Sequence, residues 1–337
     1  MSQHSINFTS SFDCDVASSA DSLTSMLEQE CTTYSCHDYL CHNDDDSSTS
    51  TSISSIISQH SHCHNSNRIT PSDRMRIVDW CYDIVDKFQF DRETVAIAMN
   101  IADRFASTNP ATLRSRGQYQ LVTITALYIA IKLNERSTFG SEDFTAASQG
   151  TYTVEDIEDM EIKILHGLSW RLCPPTGLQV GYRILSLLLS QLENTADNDN
   201  DTTAKLDRGT WEFLRDEVAF QTESAVRDYF FTTQRPSTTA IAAIMNAIEQ
   251  VNDHAYEHLT TALLRVLREF AFDSTLALLE AREQLHCLVN EHEEDPYDND
   301  YNDDHDDTIS ETTVMASPRS LSALPAGSSD ASCASVC

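Results

Sequence analysis

"QYQLVTITALYIAIKLNE", residues 118–135, decides how the rest of the chain is read. Leu121, Ile124, Leu127, Tyr128 and Ile131 recur three and four positions apart, which is the helical period. Thr125, Ala126 and Ala130 keep the surface between them slim, so neighbouring helices can approach closely. Such a segment belongs at the centre of a helical bundle. Lys132 ends the stripe, and a charge in that place needs either water or a partner.

Outward from this segment the period continues, with no convincing alternating strand between residues 68 and 290. A helix is predicted from about Ser72, which can cap it, to Phe88, with Ile77, Trp80, Cys81, Ile84 and Val85 on one face. A second follows Asp91 and carries Val95, Ala98, Met99, Ala102 and Phe105. After the central helix come a short one from near Ser141 and another capped by Thr153, with Ile157, Met160, Ile164, Leu165 and Leu168 on its stripe. Pro174 and Pro175 stop the run, because two successive prolines cannot continue a helix. Beyond them, periodic segments over residues 176–192, 207–230, 235–251, 254–271 and 274–291 repeat the arrangement more loosely. The predicted fold class is all-α: two tandem five-helix bundles, residues 68–172 and 173–290, flanked by disordered tails over 1–67 and 291–337.

Composition sets the tails apart. The first 67 residues hold nine Asp or Glu, no Lys or Arg, and many Ser, Thr, His and Asn, too little apolar surface to offset the entropy of ordering. Residues 291–307, "EHEEDPYDNDYNDDHDD", are acidic in ten of seventeen positions. Of the net charge of −31, −9 falls in 1–67 and −11 in 291–337, which leaves −11 for the middle. A surface of that sign repels phosphate backbones, so nucleic acid is not expected as a partner. No apolar run is long enough to cross a bilayer, so no membrane association is expected.

Signals for chemistry are sparse. With eight glycines the chain has no phosphate-cradling glycine loop and no nucleophile elbow, so it is not expected to be an enzyme or to need a cofactor. Cys31, Cys36, His37, Cys41, His42, His60, His62, Cys63 and His64 are types that zinc favours, but their spacing fits no standard finger and no metal is expected.

Four charges lie beside the apolar stripes: Arg74 on the first helix, Asp103 on the second, Lys132 on the third and Glu161 on the fifth. They balance in sign. One reading has each snorkelling to water at a stripe edge; the other makes two ion pairs, one joining the first two helices and one facing a partner.

"RMRIVDW", "ETVAIAMNIADRF", "QYQLVTITALYIAIKLNE", "YTVEDIEDMEIKILHGLSWRLCPPT" and "YFFTTQRPSTTAIAAIM" are similar to the successive motifs of a cyclin. The resemblance implies a non-catalytic regulatory subunit that activates a cyclin-dependent Ser/Thr kinase, with a transcription-associated cyclin-fold adaptor as the alternative. It implies a buried structural pair for Arg74 and Asp103 and a core position for Leu121. Lys132 and Glu161 would grip the kinase, with Leu133, Glu135, Phe139 and Ile164 near the same surface.

Where many cyclins dock substrates through an apolar patch, Ile77, Trp80 and Gln120 are kept here, but Asp73 and Arg76 replace apolar residues, which implies weakened docking of Arg-x-Leu motifs. Thr70 and Ser317, each before proline, are candidate phosphorylation sites. The chain lacks an Arg-x-x-Leu destruction signal before residue 68, a basic import cluster and a Leu-x-Cys-x-Glu motif. Within the family it resembles the diatom-expanded or D-type-like cyclins, and its expected location is nucleus and cytoplasm, entry depending on the partner.

Overall fold

A computed structural model of the chain describes residues 16–40, 69–136, 140–148, 150–196, 206–251, 253–272 and 275–293. Among the described residues eleven α-helices run in order: α1 Val16–Thr32, α2 Pro71–Phe88, α3 Glu93–Thr108, α4 Arg116–Asn134, α5 Ser141–Ala147, α6 Val154–Gly167, α7 Gly177–Ala196, α8 Arg208–Arg227, α9 Pro236–Glu249, α10 Asp253–Glu269 and α11 Thr275–Glu293. No strand occurs among the described residues, so the fold class is all-α. No described helix is long and apolar enough to cross a membrane.

Helices α2 to α6 enclose one core and α7 to α11 another. In the first, α4 is the axis: it packs on α2, α3, α5 and α6, and Tyr119, Val122, Ile124, Leu127 and Ile131 on it are fully buried. Leu121 was expected in this core but lies half-buried at its rim. In the second, the alanine-rich α9 has the matching place, packed against α7, α8, α10 and α11 with Ala240, Ala242, Ala243, Ile244 and Ala247 at zero exposure. Methyl side chains at the centre of each bundle let four other helices close around one.

Caps set the helix starts. Thr153 caps α6 as its hydroxyl accepts from the Asp156 amide and its own amide donates to the Asp156 carboxylate. On α2 the cap is Thr70 rather than Ser72, with Pro71 in the first turn, where its missing N–H costs nothing.

The expectation of a wholly disordered segment over 1–67 fails for residues 16–40. Helix α1 packs on α7 and buries Leu23 in the second core, with Ala20 and Leu27 against it. Glu30, three residues further along that stripe, is 3% exposed and caps α9, accepting from the Ser237 amide at 2.9 Å and hydroxyl at 2.6 Å. The chain then crosses to the first bundle. There the Arg104 guanidinium stacks on the Tyr34 ring, and the Tyr39 hydroxyl donates to Asp103 at 2.7 Å. The amides of Tyr39 and Leu40 both donate to the Tyr229 hydroxyl, which in turn donates to Asp38. Residues 16–40 thus form a strap tied to both bundles.

Burial pushes the Glu30 carboxyl above its ordinary range, against the lowering effect of its bonds to Ser237 and of nearby Arg235. A folded-state pKa above the unfolded one means that protonation favours the fold: the contribution is complete below the unfolded value and lost as pH rises through the folded one. Thermal melts of Glu30→Gln should therefore match or exceed wild type near pH 7 and lack this acid-side gain. Glu30→Ala, which orphans the buried Ser237 donors, should cost about 1–3 kcal/mol at all pH. A Glu30→Gln melt well below wild type at pH 7 would refute this.

Candidate functional site: a charged pair on the outer face of the first bundle

Lys132 occupies the last turn of α4, where the apolar stripe leaves the core, and its side chain is 43% exposed. Its Nζ lies 2.6 Å from Glu161 Oε1 on α6 and 4.6 Å from the centre of the Tyr128 ring, one turn back on α4. Partial burial alone would lower the Lys132 pKa; the bond to Glu161 and its charge outweigh that and leave it raised, so the amine is charged at neutral pH. Glu161 is the more enclosed partner at 16%. The pair is therefore a preset dipole with one open side.

The other residues expected near this surface divide. Leu133 is on it, 47% exposed. Glu135 is turned inward: its Oε1 accepts from the Asp91 amide at 3.0 Å and the Thr94 hydroxyl at 2.8 Å, tying the end of α4 to the start of α3. Ile164 is a correction, since it is fully buried; with Ile157 and Met160 it forms the inward stripe of α6. Phe139 lies outside the described residues.

Two exposed apolar residues were missed. Ile162 is 54% exposed beside Glu161, and Trp170 is 65% exposed just beyond α6. Ser169 and Trp170 take left-handed backbone, φ 50° and 62°, and the Trp170 ring meets His166 edge-on. Ile162 and His166 are four apart on one helix face, so Glu161, Ile162, His166 and Trp170 continue the surface along α6. Large exposed apolar side chains beside a charged pair were the available signal, and they mark surface that gains by being covered.

The second pair is of another kind. Arg74 and Asp103 make a two-pronged bridge, Nε to Oδ1 at 3.1 Å and Nη2 to Oδ2 at 2.8 Å, with side chains 3% and 5% exposed. Arg74 Nη1 also donates to the Val226 carbonyl of α8 at 2.8 Å, so the pair joins α2, α3 and the second bundle. Asp103 Oδ1 receives the Tyr39 hydroxyl, which bonds to the Tyr119 hydroxyl at 3.1 Å.

At the expected docking patch, Ile77 and Trp80 are 5% and 8% exposed, and Gln120 is engaged by the Tyr152 hydroxyl. Asp73 is sunk at 3%, bound to Thr70 and Arg116, while Arg76 and Met75 are exposed. Of the Cys and His residues weighed as metal ligands, Cys31, Cys36 and His37 are described; the other six lie outside the described residues. Burial pushes the Cys36 thiol up to about 12.

Residues 46–173 match the family model "Cyclin, N-terminal domain". Among curated proteins the chain is 31% identical to G2/mitotic-specific cyclin-B2 of Oryzias luzonensis, over 51% of this chain and 39% of that protein. It is 34% identical to G2/mitotic-specific cyclin S13-7 of Glycine max, over 42% and 56%. The chain thus spans between about two fifths and just over half of these relatives. Among solved structures, a viral cyclin from herpesvirus saimiri aligns over 67% of this chain and 89% of its own with 14% identity and a TM-score of 0.45. The first bundle is a cyclin N-terminal domain. Over this stretch the chain is similar to the cyclins.

Proposed function

We propose that this chain is the regulatory, non-catalytic subunit of a cyclin-dependent Ser/Thr kinase and acts in cell-cycle progression. The observation that carries the reading is the half-open Lys132–Glu161 pair, flanked by exposed Leu133 and Ile162, on the face of a cyclin N-terminal domain. A lysine and a carboxylate held 2.6 Å apart can meet a backbone carbonyl and an amide of one helix end at once. The apolar residues around them would lose water on contact. Activation would follow by selection: binding only the conformer whose regulatory helix is turned inward shifts the kinase toward it, with no chemistry by the regulator.

Pull-down of the full chain from its own cells, followed by kinase identification and a histone phosphorylation assay, tests this. Recovery of an active cyclin-dependent kinase is the expected result. Recovery of a transcription-associated kinase would replace the cell-cycle assignment, and recovery of no kinase would overturn the proposal. Location in nucleus and cytoplasm is part of the same proposal, with import supplied by the partner.

Substrate docking through the α2 patch should be weak. An incoming leucine would meet the charged Arg76 and the largely buried Ile77 and Trp80 rather than an open apolar groove. Calorimetric titration of an Arg-x-Leu peptide should give no nanomolar binding, and a nanomolar constant would contradict this.

A further inference from the structure

Thr70 is exposed, its backbone is extended (φ −115°, ψ 161°), and Pro71 follows it. Its hydroxyl donates to Asp73 Oδ2 at 2.9 Å while its amide donates to the same oxygen at 3.0 Å. A third donor arrives from another helix: Arg116 Nε, in the first turn of α4, reaches that same Oδ2 at 3.3 Å. The Thr70 hydroxyl and the Arg116 guanidinium therefore meet at one atom. Asp73 is 3% exposed, and Arg116 is the cation paired with it, with a third of its own side chain open to solvent.

We propose that Thr70 is a phosphorylation site of a proline-directed Ser/Thr kinase and that Arg116 is the receptor for the phosphate. Thr70 Oγ1 attacks the γ-phosphorus of ATP; the new P–O bond forms as the bond to the β–γ bridging oxygen breaks. ADP departs, and the hydroxyl proton passes to the base of the kinase. The modified residue carries about −1.5 to −2 charge and three acceptor oxygens. Its hydroxyl proton, which served Asp73, is gone, and two negative groups now face one guanidinium. Arg116 is the partly exposed and longer-reaching partner, so it turns to the phosphate, where two parallel N–H donors can engage two oxygens. The phosphate also sits at the start of α2, whose free amides and dipole favour an anion. Two charges are thereby added at the base of the helix carrying Arg76, Ile77 and Trp80.

The full chain is incubated with a proline-directed kinase of the mitogen-activated class and ATP, and its phosphates are located by mass spectrometry. The second Ser/Thr-Pro site, Ser317, lies outside the described residues and serves as internal reference. Thr70 should be phosphorylated in wild type and not in Pro71→Ala. By phosphorus NMR titration the Thr70 phosphate should have a second pKa below the roughly 6 of a free phosphothreonine. Arg116→Gln should bring it back to that value, while Arg116→Lys, which keeps a cation in place and guards against loss of fold, should keep it low. An unmodified Thr70, modification that survives Pro71→Ala, or a titration indifferent to Arg116→Gln would each overturn the proposal.

Discussion

Arg74→Ala lowers the unfolding free energy of this protein by about 3–5 kcal/mol, the cost of removing one partner of a buried ion pair and leaving the other charge without compensation. Asp103 would keep only the Tyr39 hydroxyl as a donor among the bonds it now has, at 5% side-chain exposure. The loss should reach further than α2 and α3. Arg74 also holds the Val226 carbonyl, so the variant weakens the joint between the bundles, and Asp103 anchors the strap through Tyr39. Denaturant unfolding can separate these effects because Trp80 reports from the first core and Trp211 from the second. In the variant the Trp80 transition should move first and part from that of Trp211. The double variant Arg74→Met, Asp103→Leu should recover part of the loss, since it removes the orphaned charge while the Val226 carbonyl and the Tyr39 hydroxyl still lose their bonds to the pair. If Arg74→Ala shifts stability by less than about 1 kcal/mol, the range of exposed pairs, the account of this bridge is wrong.

What the sequence disclosed follows from the range over which each interaction acts. The central α4 was legible because its whole face is buried and so must repeat every three to four residues, and Pro174–Pro175 mark the junction by backbone sterics alone. The strap was hidden for the opposite reason. Its one short stripe, Ala20, Leu23, Leu27 and Glu30, lies in Ser/Thr-rich sequence, and its anchors Ser237, Tyr229 and Asp103 are far away along the chain. Local composition cannot weigh a carboxylate against a helix start some two hundred positions distant.

The charged pairs were partly legible, because a charge beside an apolar stripe stands out whatever it meets. Their surroundings were not. Ile162 and Ile164 differ by two positions, which on a helix turns one outward and one inward, and the periodic stripe already carried Ile164 on the buried side. Likewise nothing local separates Glu135, bonded to the start of α3, from a carboxylate free to face a partner.

Lys132→Ala and Glu161→Ala should each reduce kinase recovery by roughly 30-fold, about 2 kcal/mol, the lower end of what truncating one member of an enclosed charge pair costs. In the free chain the pair is half open to water, so neither change should alter stability by more than about 1 kcal/mol, and circular dichroism and melting should match wild type. The difference arises on binding: a partner covering Leu133 and Ile162 would exclude water from the pair, and the charge left behind would then be enclosed alone. The exchange variant Lys132→Glu, Glu161→Lys distinguishes two roles. If the pair only holds α4 against α6, the exchange keeps the bridge and should restore recovery. If each charge meets its own group on the kinase, the exchange presents both with the wrong sign and recovery should stay at or below that of the single variants. Unchanged recovery in both single variants would remove the pair from the interface altogether.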